Sequence, residues 1–159
     1  LNKVMQKRIK ADPIISKLIE QAYHPHQSEL SKIIGESYFN LQKYKEAIPY
    51  LKAYKGKKGR WNHTDYYQLG YAFYKQNEYL KAINEFNKIL EGSNTIAQNA
   101  YYHLAESYIN LNKKQEALNA FRNASEMDFN LNIQQDAWLN YAKLSYDIGN
   151  PYQVTIGLH

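Results

Sequence analysis

The chain has 159 residues, no cysteine, 44% apolar residues and a formal charge of +5. Such a length suits about one domain that buries roughly 70% of its unfolded surface. The lack of cysteine excludes a disulfide framework and cysteine-ligated zinc, and no apolar run approaches the ~18 residues that a membrane span requires. The positive charge is local: Lys52, Lys55, Lys57, Lys58 and Arg60 crowd one stretch, and without them 15 basic residues balance 15 acidic ones.

The opening LNKVMQKRIK lacks the apolar core of a secretory signal, and the chain reads as a piece of a longer protein. Val4, Met5 and Ile9 allow at most a short helix there. Asp12 before Pro13 is a helix start, an N-cap acceptor followed by a proline whose fixed φ suits the first turn. The helix is expected to run through Ile14, Ile15, Leu18, Ile19 and Ala22 and to stop at His24-Pro25-His26, because a residue before proline is pushed away from the helical region. Ser28 then caps a new helix with Leu30, Ile33, Ile34, Tyr38 and Leu41 inward. Tyr44 to Tyr54 returns antiparallel through Ala47, Ile48 and Leu51, with Pro49 placed near its first turn. Lys55 to Arg60, containing Gly56 and Gly59, is a loop. Asn62 to Glu91 forms a second hairpin interrupted at Asn77-Glu78 and stopped by Gly92. A third spans about Thr95 to Met127, with Tyr101, Leu104, Ala105 and Tyr108 on one helix and Ala117, Leu118, Phe121 and Ala124 on the other. A further helix, Gln134 to Ile148, repeats the first-helix pattern through Trp138, Tyr141, Ala142 and Ser145, before a turn at Gly149-Asn150-Pro151.

These hairpins recur at a fixed offset. Gly35, Gly70 and Ala105 are 35 residues apart, as are Ala47, Ala82 and Ala117. The expected fold is an all-α solenoid of stacked antiparallel hairpins over 1–159: a helical segment at 1–27, repeats at 28–61, 62–96 and 97–131, and a partial fourth at 132–159. Tyr66, Leu69-Gly70, Phe73, Tyr79, Ala82, Phe86 and Ile89 of the second hairpin resemble the signature of the tetratricopeptide repeat. The pattern departs at Ser31 and Lys114, where aromatics are customary, at Ala105 for a glycine, and in having no closing proline. The resemblance covers about residues 28 to 150 and implies a right-handed superhelix whose first helices line a concave, partner-binding groove.

By that register Lys32, Glu36, Phe39, Tyr67, Tyr71, Tyr74, Tyr102, Glu106, Ile109, Lys143 and Tyr146 face the groove. Phe39, Tyr67, Tyr71, Tyr74, Tyr102 and Tyr146 are the candidate partner-binding residues, since tyrosine offers rigid area with a polar tip. The bland alternative is that several of the 16 tyrosines only pack between helices. A carboxylate clamp for chaperone tails would fall on Lys32, Glu36, Gln68, Asn99 and His103; only Lys32 suits it and Glu36 would repel the tail. Lys52, Lys55, Lys57, Lys58 and Arg60 are candidate anion-binding residues, with a solvated basic turn as the blander account. That loop lacks the Gly-Lys-Ser/Thr of a phosphate-cradling loop, and His24 and His26 lack metal-ligand neighbours. His63 and His103 have no serine or cysteine in the setting of an activated nucleophile, and scattered carboxylates such as Glu36 and Glu106 suggest only a polar surface.

The expected function is thus a non-catalytic scaffold holding a protein or peptide, with no metal and no cofactor. Binding of a polyanion or nucleic acid through Lys52 to Arg60 is the alternative, although the missing phosphate motifs disfavour it. Exposed ends of the stack would permit self-association. KEAIPYLK and KKQEALNAFRNAS look like bacterial members of the family, some of which work in the cell envelope, so the resemblance leans to the periplasm with the cytoplasm as the alternative.

Overall fold

In the computed structural model, residues 3–4 and 12–149 are described, those at 19–25 by their backbone alone. Met5, Ile9, Asn150, Pro151 and the side chains of Ile19, Ala22 and His24 therefore lie outside the described residues. Helix α1 spans Pro13–Asn40 and α2 Tyr44–Ala53; α3 His63–Lys75 pairs with α4 Tyr79–Phe86, which a 3₁₀ turn at Asn87–Ile89 extends. Helices α5 Thr95–Asn110 and α6 Lys114–Ser125 form the next pair, and α7 Leu131–Gly149 packs on α6. No strand occurs among the described residues, and each helix packs on its neighbours in sequence, which makes the chain an all-α solenoid.

Local signals explain most helix starts. The Asp12 carboxylate accepts from the backbone N–H groups of Ile14 and Ile15 at 3.0 and 3.3 Å, satisfying donors that no helical partner can reach. Asn62 and Asp65 exchange hydrogen bonds of 2.9 Å across the start of α3, a reciprocal capping box. Asn94 caps α5 through the N–H of Ala97.

Each hairpin turns by the same device. Gln42, Asn77 and Asn112, again 35 residues apart, take φ of 58°, 59° and 57°. At each, the residue with positive φ donates to a carbonyl three residues back and its successor donates five back: Lys43 to Tyr38, Glu78 to Phe73 and Lys113 to Tyr108, at 2.8–2.9 Å. These are Schellman motifs, which prefer glycine or asparagine at the left-handed place. Gln42 carries a Cβ penalty there that Gly would remove, so Gln42→Gly should stabilise the protein by roughly 1 kcal/mol. An unchanged or lower urea midpoint would contradict this.

Several expectations fail for identifiable reasons. Helix α1 runs through His24-Pro25-His26 without a break, so the expected boundary between residues 27 and 28 falls inside it. A proline withholds a single N–H, and no residue there adopts the left-handed conformation that ends the hairpin helices. Ser28 consequently caps nothing; its hydroxyl instead accepts from the Lys55 N–H at 2.9 Å. Pro49 sits in the second turn of α2, not its first. Helix α4 ends at Phe86 and tightens into the 3₁₀ turn before Gly92, which has no positive φ and stops nothing.

The core runs along the stack as Ala47, Leu51, Leu69, Phe73, Ala82, Phe86, Leu104, Ala117 and Phe121. A Cβ built on Gly70 would lie 2.8 Å from the Phe86 ring, so the signature glycine marks a close crossing of α3 and α4. The ends differ. Leu30, Ile33, Ile34 and Leu41, expected inward, are exposed, and so are Ile14, Ile15 and Leu18. On α7, Ala137 and Leu144 are buried while Trp138 is 62% exposed. Among the described residues, no second helix follows α7.

Candidate functional site

Tyr67, Tyr71 and Tyr74 lie at steps of four and three on α3, which places them on one helix face, away from Leu69 and Phe73 in the core. The structure joins that face to both neighbouring first helices. Phe39 of α1 meets Tyr71 at 5.7 Å between ring centroids, Tyr71 meets His103 of α5 at 5.0 Å, and His103 meets Tyr102 at 5.5 Å. Tyr44, from α2, packs on both Phe39 and Tyr71 at 5.3 and 5.5 Å. All of these rings are half-buried, so the row packs on the core below and keeps part of its area open. Contacts at these separations, offset or edge-on, add attraction beyond burial alone.

The row has a polar knot. Tyr74 donates its hydroxyl hydrogen to the Glu106 carboxylate across the α3–α5 junction, and His103 Nδ1 lies 3.5 Å from the other oxygen of Glu106. That Nδ1 is buried and makes no hydrogen bond. Burial pushes the Glu106 carboxyl up, but His103 and the Tyr74 hydroxyl outweigh it and hold the pKa below its usual value. Conversely, burial raises Tyr74, and its bond to Glu106 raises it further. A carboxylate with a depressed folded-state pKa contributes stability above the unfolded value, near pH 4.3, which is lost as pH falls through the lowered one. The Tyr74→Phe variant should therefore be less stable than wild type at pH 7, and the gap should narrow below the usual glutamate range. A gap independent of pH, measured by urea unfolding, would rule out the charge-assisted bond.

The other candidates divide. Tyr67 packs on Phe86 of the core at 5.9 Å and is raised in pKa by burial first, then by Tyr71, Tyr44 and Glu106, so it supports the fold as well as the row. Tyr102 faces Phe121 at 5.9 Å. Tyr146 is exposed on α7 and makes no ring contact among the described residues. Lys32 is engaged by the buried Asp65 at 3.4 Å and lies over the Tyr54 ring. Burial opposes its charge, but Asp65, together with Tyr54 and Glu36, outweighs burial and raises its pKa. Two members of the row, Tyr44 and His103, are absent from the candidate set derived by first-helix register. His103 was legible as the neighbour of Tyr102 one turn before Glu106; Tyr44 is on a second helix, beyond any rule about first helices.

The basic loop is ordered by its backbone. Lys57 and Arg60 form an antiparallel bridge, with Gly56 and Gly59 at φ of 86° and 74°. A Cβ on Gly56 would stand 2.2 Å from the Arg60 carbonyl oxygen, so this turn requires glycine. Lys52, Lys55, Lys57, Lys58 and Arg60 are exposed, and none has an ion pair among the described residues.

Comparison with known families agrees with the repeated hairpins. A family model described as tetratricopeptide repeat matches residues 33–54, from α1 into α2. A second, described as anaphase-promoting complex, cyclosome, subunit 3, matches residues 50–124, from α2 through α6. Together these matches, with the repeated hairpins, support a tetratricopeptide repeat family. None of the curated proteins searched matches it. Tetratricopeptide repeats generally mediate protein–protein interactions, so the stacked hairpins constitute an interaction scaffold. No helix among the described residues is long and apolar enough to cross a membrane.

Proposed function

We propose that this tetratricopeptide repeat protein is a non-catalytic scaffold that holds an extended peptide segment of a protein partner along the row from Phe39 through Tyr71 to Tyr102. The observation that carries this reading is the continuity of half-open rings over three successive first helices, α1, α3 and α5. Side chains at the centre of binding surfaces are enriched in tyrosine because its ring gives large area at a small cost in entropy. Glu106, held ionised between Tyr74 and His103, places an acceptor at the middle of the row.

Because Tyr67 also serves the core, the discriminating variants are Tyr71→Ala and Tyr102→Ala. Partners captured from the source cell by the wild-type chain should be lost or weakened at least tenfold by the double variant, each exposed aromatic anchor contributing about 1–2 kcal/mol. Retention of every partner by a variant with unchanged helical circular dichroism would overturn the reading.

A further inference from the structure

A cavity of about 630 Å³ opens where the basic loop meets α3 and α4, lined by Lys52, Lys55 and Arg60 beside Trp61, Leu69 and Glu85. It lies on the Tyr66–Leu69 side of α3, away from the face bearing Tyr71 and Tyr74. We propose that this cavity is a second binding site, for an acidic peptide segment that carries an apolar side chain.

Its walls are held in place before any ligand arrives. The Trp61 indole N–H donates to the Tyr54 carbonyl at 2.6 Å, and the indole packs on Tyr66 at 5.1 Å. The Gly56 and Gly59 turn fixes the arm that carries Arg60. Lys88 is already committed, bonding both oxygens of the buried Glu85 at 3.1 Å and lying over the Tyr66 ring. Lys52, Lys55 and Arg60 have no carboxylate among the described residues, so their charge is available to a ligand. Arginine and lysine hold carboxylates by charge-assisted bonds, while Trp61 and Leu69 supply an apolar wall.

A peptide fits these features better than nucleic acid. Nucleic-acid affinity grows with the number of phosphates neutralised along a strand, which calls for cations spread over a track. Here they are gathered at one loop, outside which basic and acidic residues balance at 15 each. A phosphate backbone repeats its charge at every step, whereas a peptide can lay an apolar side chain on Trp61 and Leu69 while its carboxylates meet the cations.

The test titrates a fluorescein-labelled heptapeptide of aspartate and glutamate around a central leucine into the protein at low salt, read by fluorescence polarisation. Saturable binding is expected, weakened at least tenfold by Lys52→Ala with Arg60→Ala, weakened several-fold when serine replaces the leucine, and unchanged by Tyr71→Ala with Tyr102→Ala. The proposal is overturned if the peptide does not saturate, if the Lys52/Arg60 double variant binds it as wild type does, or if the tyrosine variant weakens it equally. It is also overturned if the serine peptide binds as tightly, or if a thymidine oligonucleotide of equal charge binds as tightly, which would make the cavity a general anion or nucleic-acid site. Because the tyrosine and the basic variants are separate, this site and the aromatic row can each fail alone.

Discussion

Replacing Phe86 by alanine is expected to destabilise the protein by about 3–5 kcal/mol, the range for emptying a large aromatic from a closed core. Phe86 is fully buried. Its ring fills the crossing that Gly70 leaves open, and it also supports Tyr67 and His103 from below at 5.9 and 6.3 Å. The cavity would therefore open beneath the aromatic row as well as between α3 and α4. Neighbouring hairpins touch only their neighbours, so stability in such a stack is close to a sum of local terms. Unfolding of Phe86→Ala in urea should lose midpoint sharply, and hydrogen exchange should rise first in α3 and α4. A loss under 1 kcal/mol would mean that Tyr67 and His103 collapse into the space.

Gln98→Leu is expected to cost about 2–3 kcal/mol although leucine has a similar size. Gln98 is fully buried at the first turns of α5, where its amide nitrogen donates to the carbonyls of Met127 at 2.6 Å and Asn130 at 3.2 Å. Its carbonyl oxygen accepts from the Asn130 N–H at 2.7 Å. One side chain thus satisfies the backbone of the α6–α7 connection, and leucine would leave those groups without partners. An unpaired buried polar group costs about 1–3 kcal/mol, while shape alone would make the exchange nearly neutral. Thermal or urea unfolding distinguishes the two, and a neutral Gln98→Leu would show that water replaces the amide. The Gln98→Glu variant should be destabilised too, because it removes the donor and brings a charge into a closed site.

The paired helices were legible because their apolar residues recur at helical spacing and at one fixed offset, and periodicity reports which residues face each other whatever lies beyond. Asn77 likewise announces its turn, whereas Gln42, with no turn preference, adopts the same φ only because its hairpin demands it. Pro25 misled for the opposite reason. A proline weakens a helix locally, but the rest of α1 propagates through it.

Of the candidate surface, register alone placed Phe39, Tyr71, Tyr74 and Tyr102 on first helices. It could not show that His103 and Tyr44 would complete the row, since ring contacts between successive hairpins depend on how closely they stack. Nor could sequence separate Tyr67, drawn onto Phe86, from Tyr146, left exposed on α7. The apolar residues of α1 and Trp138 show the same limit: identity makes a side chain able to be buried, but does not say which element packs against it. By itself, then, the sequence determined the repeating hairpin, its core positions and the local basicity of residues 52–60. Only the tertiary structure decided which rings meet, which polar groups such as Gln98 are enclosed, and that Arg60 and Glu85 line one cavity, because each depends on distances between residues that the chain brings together only by stacking.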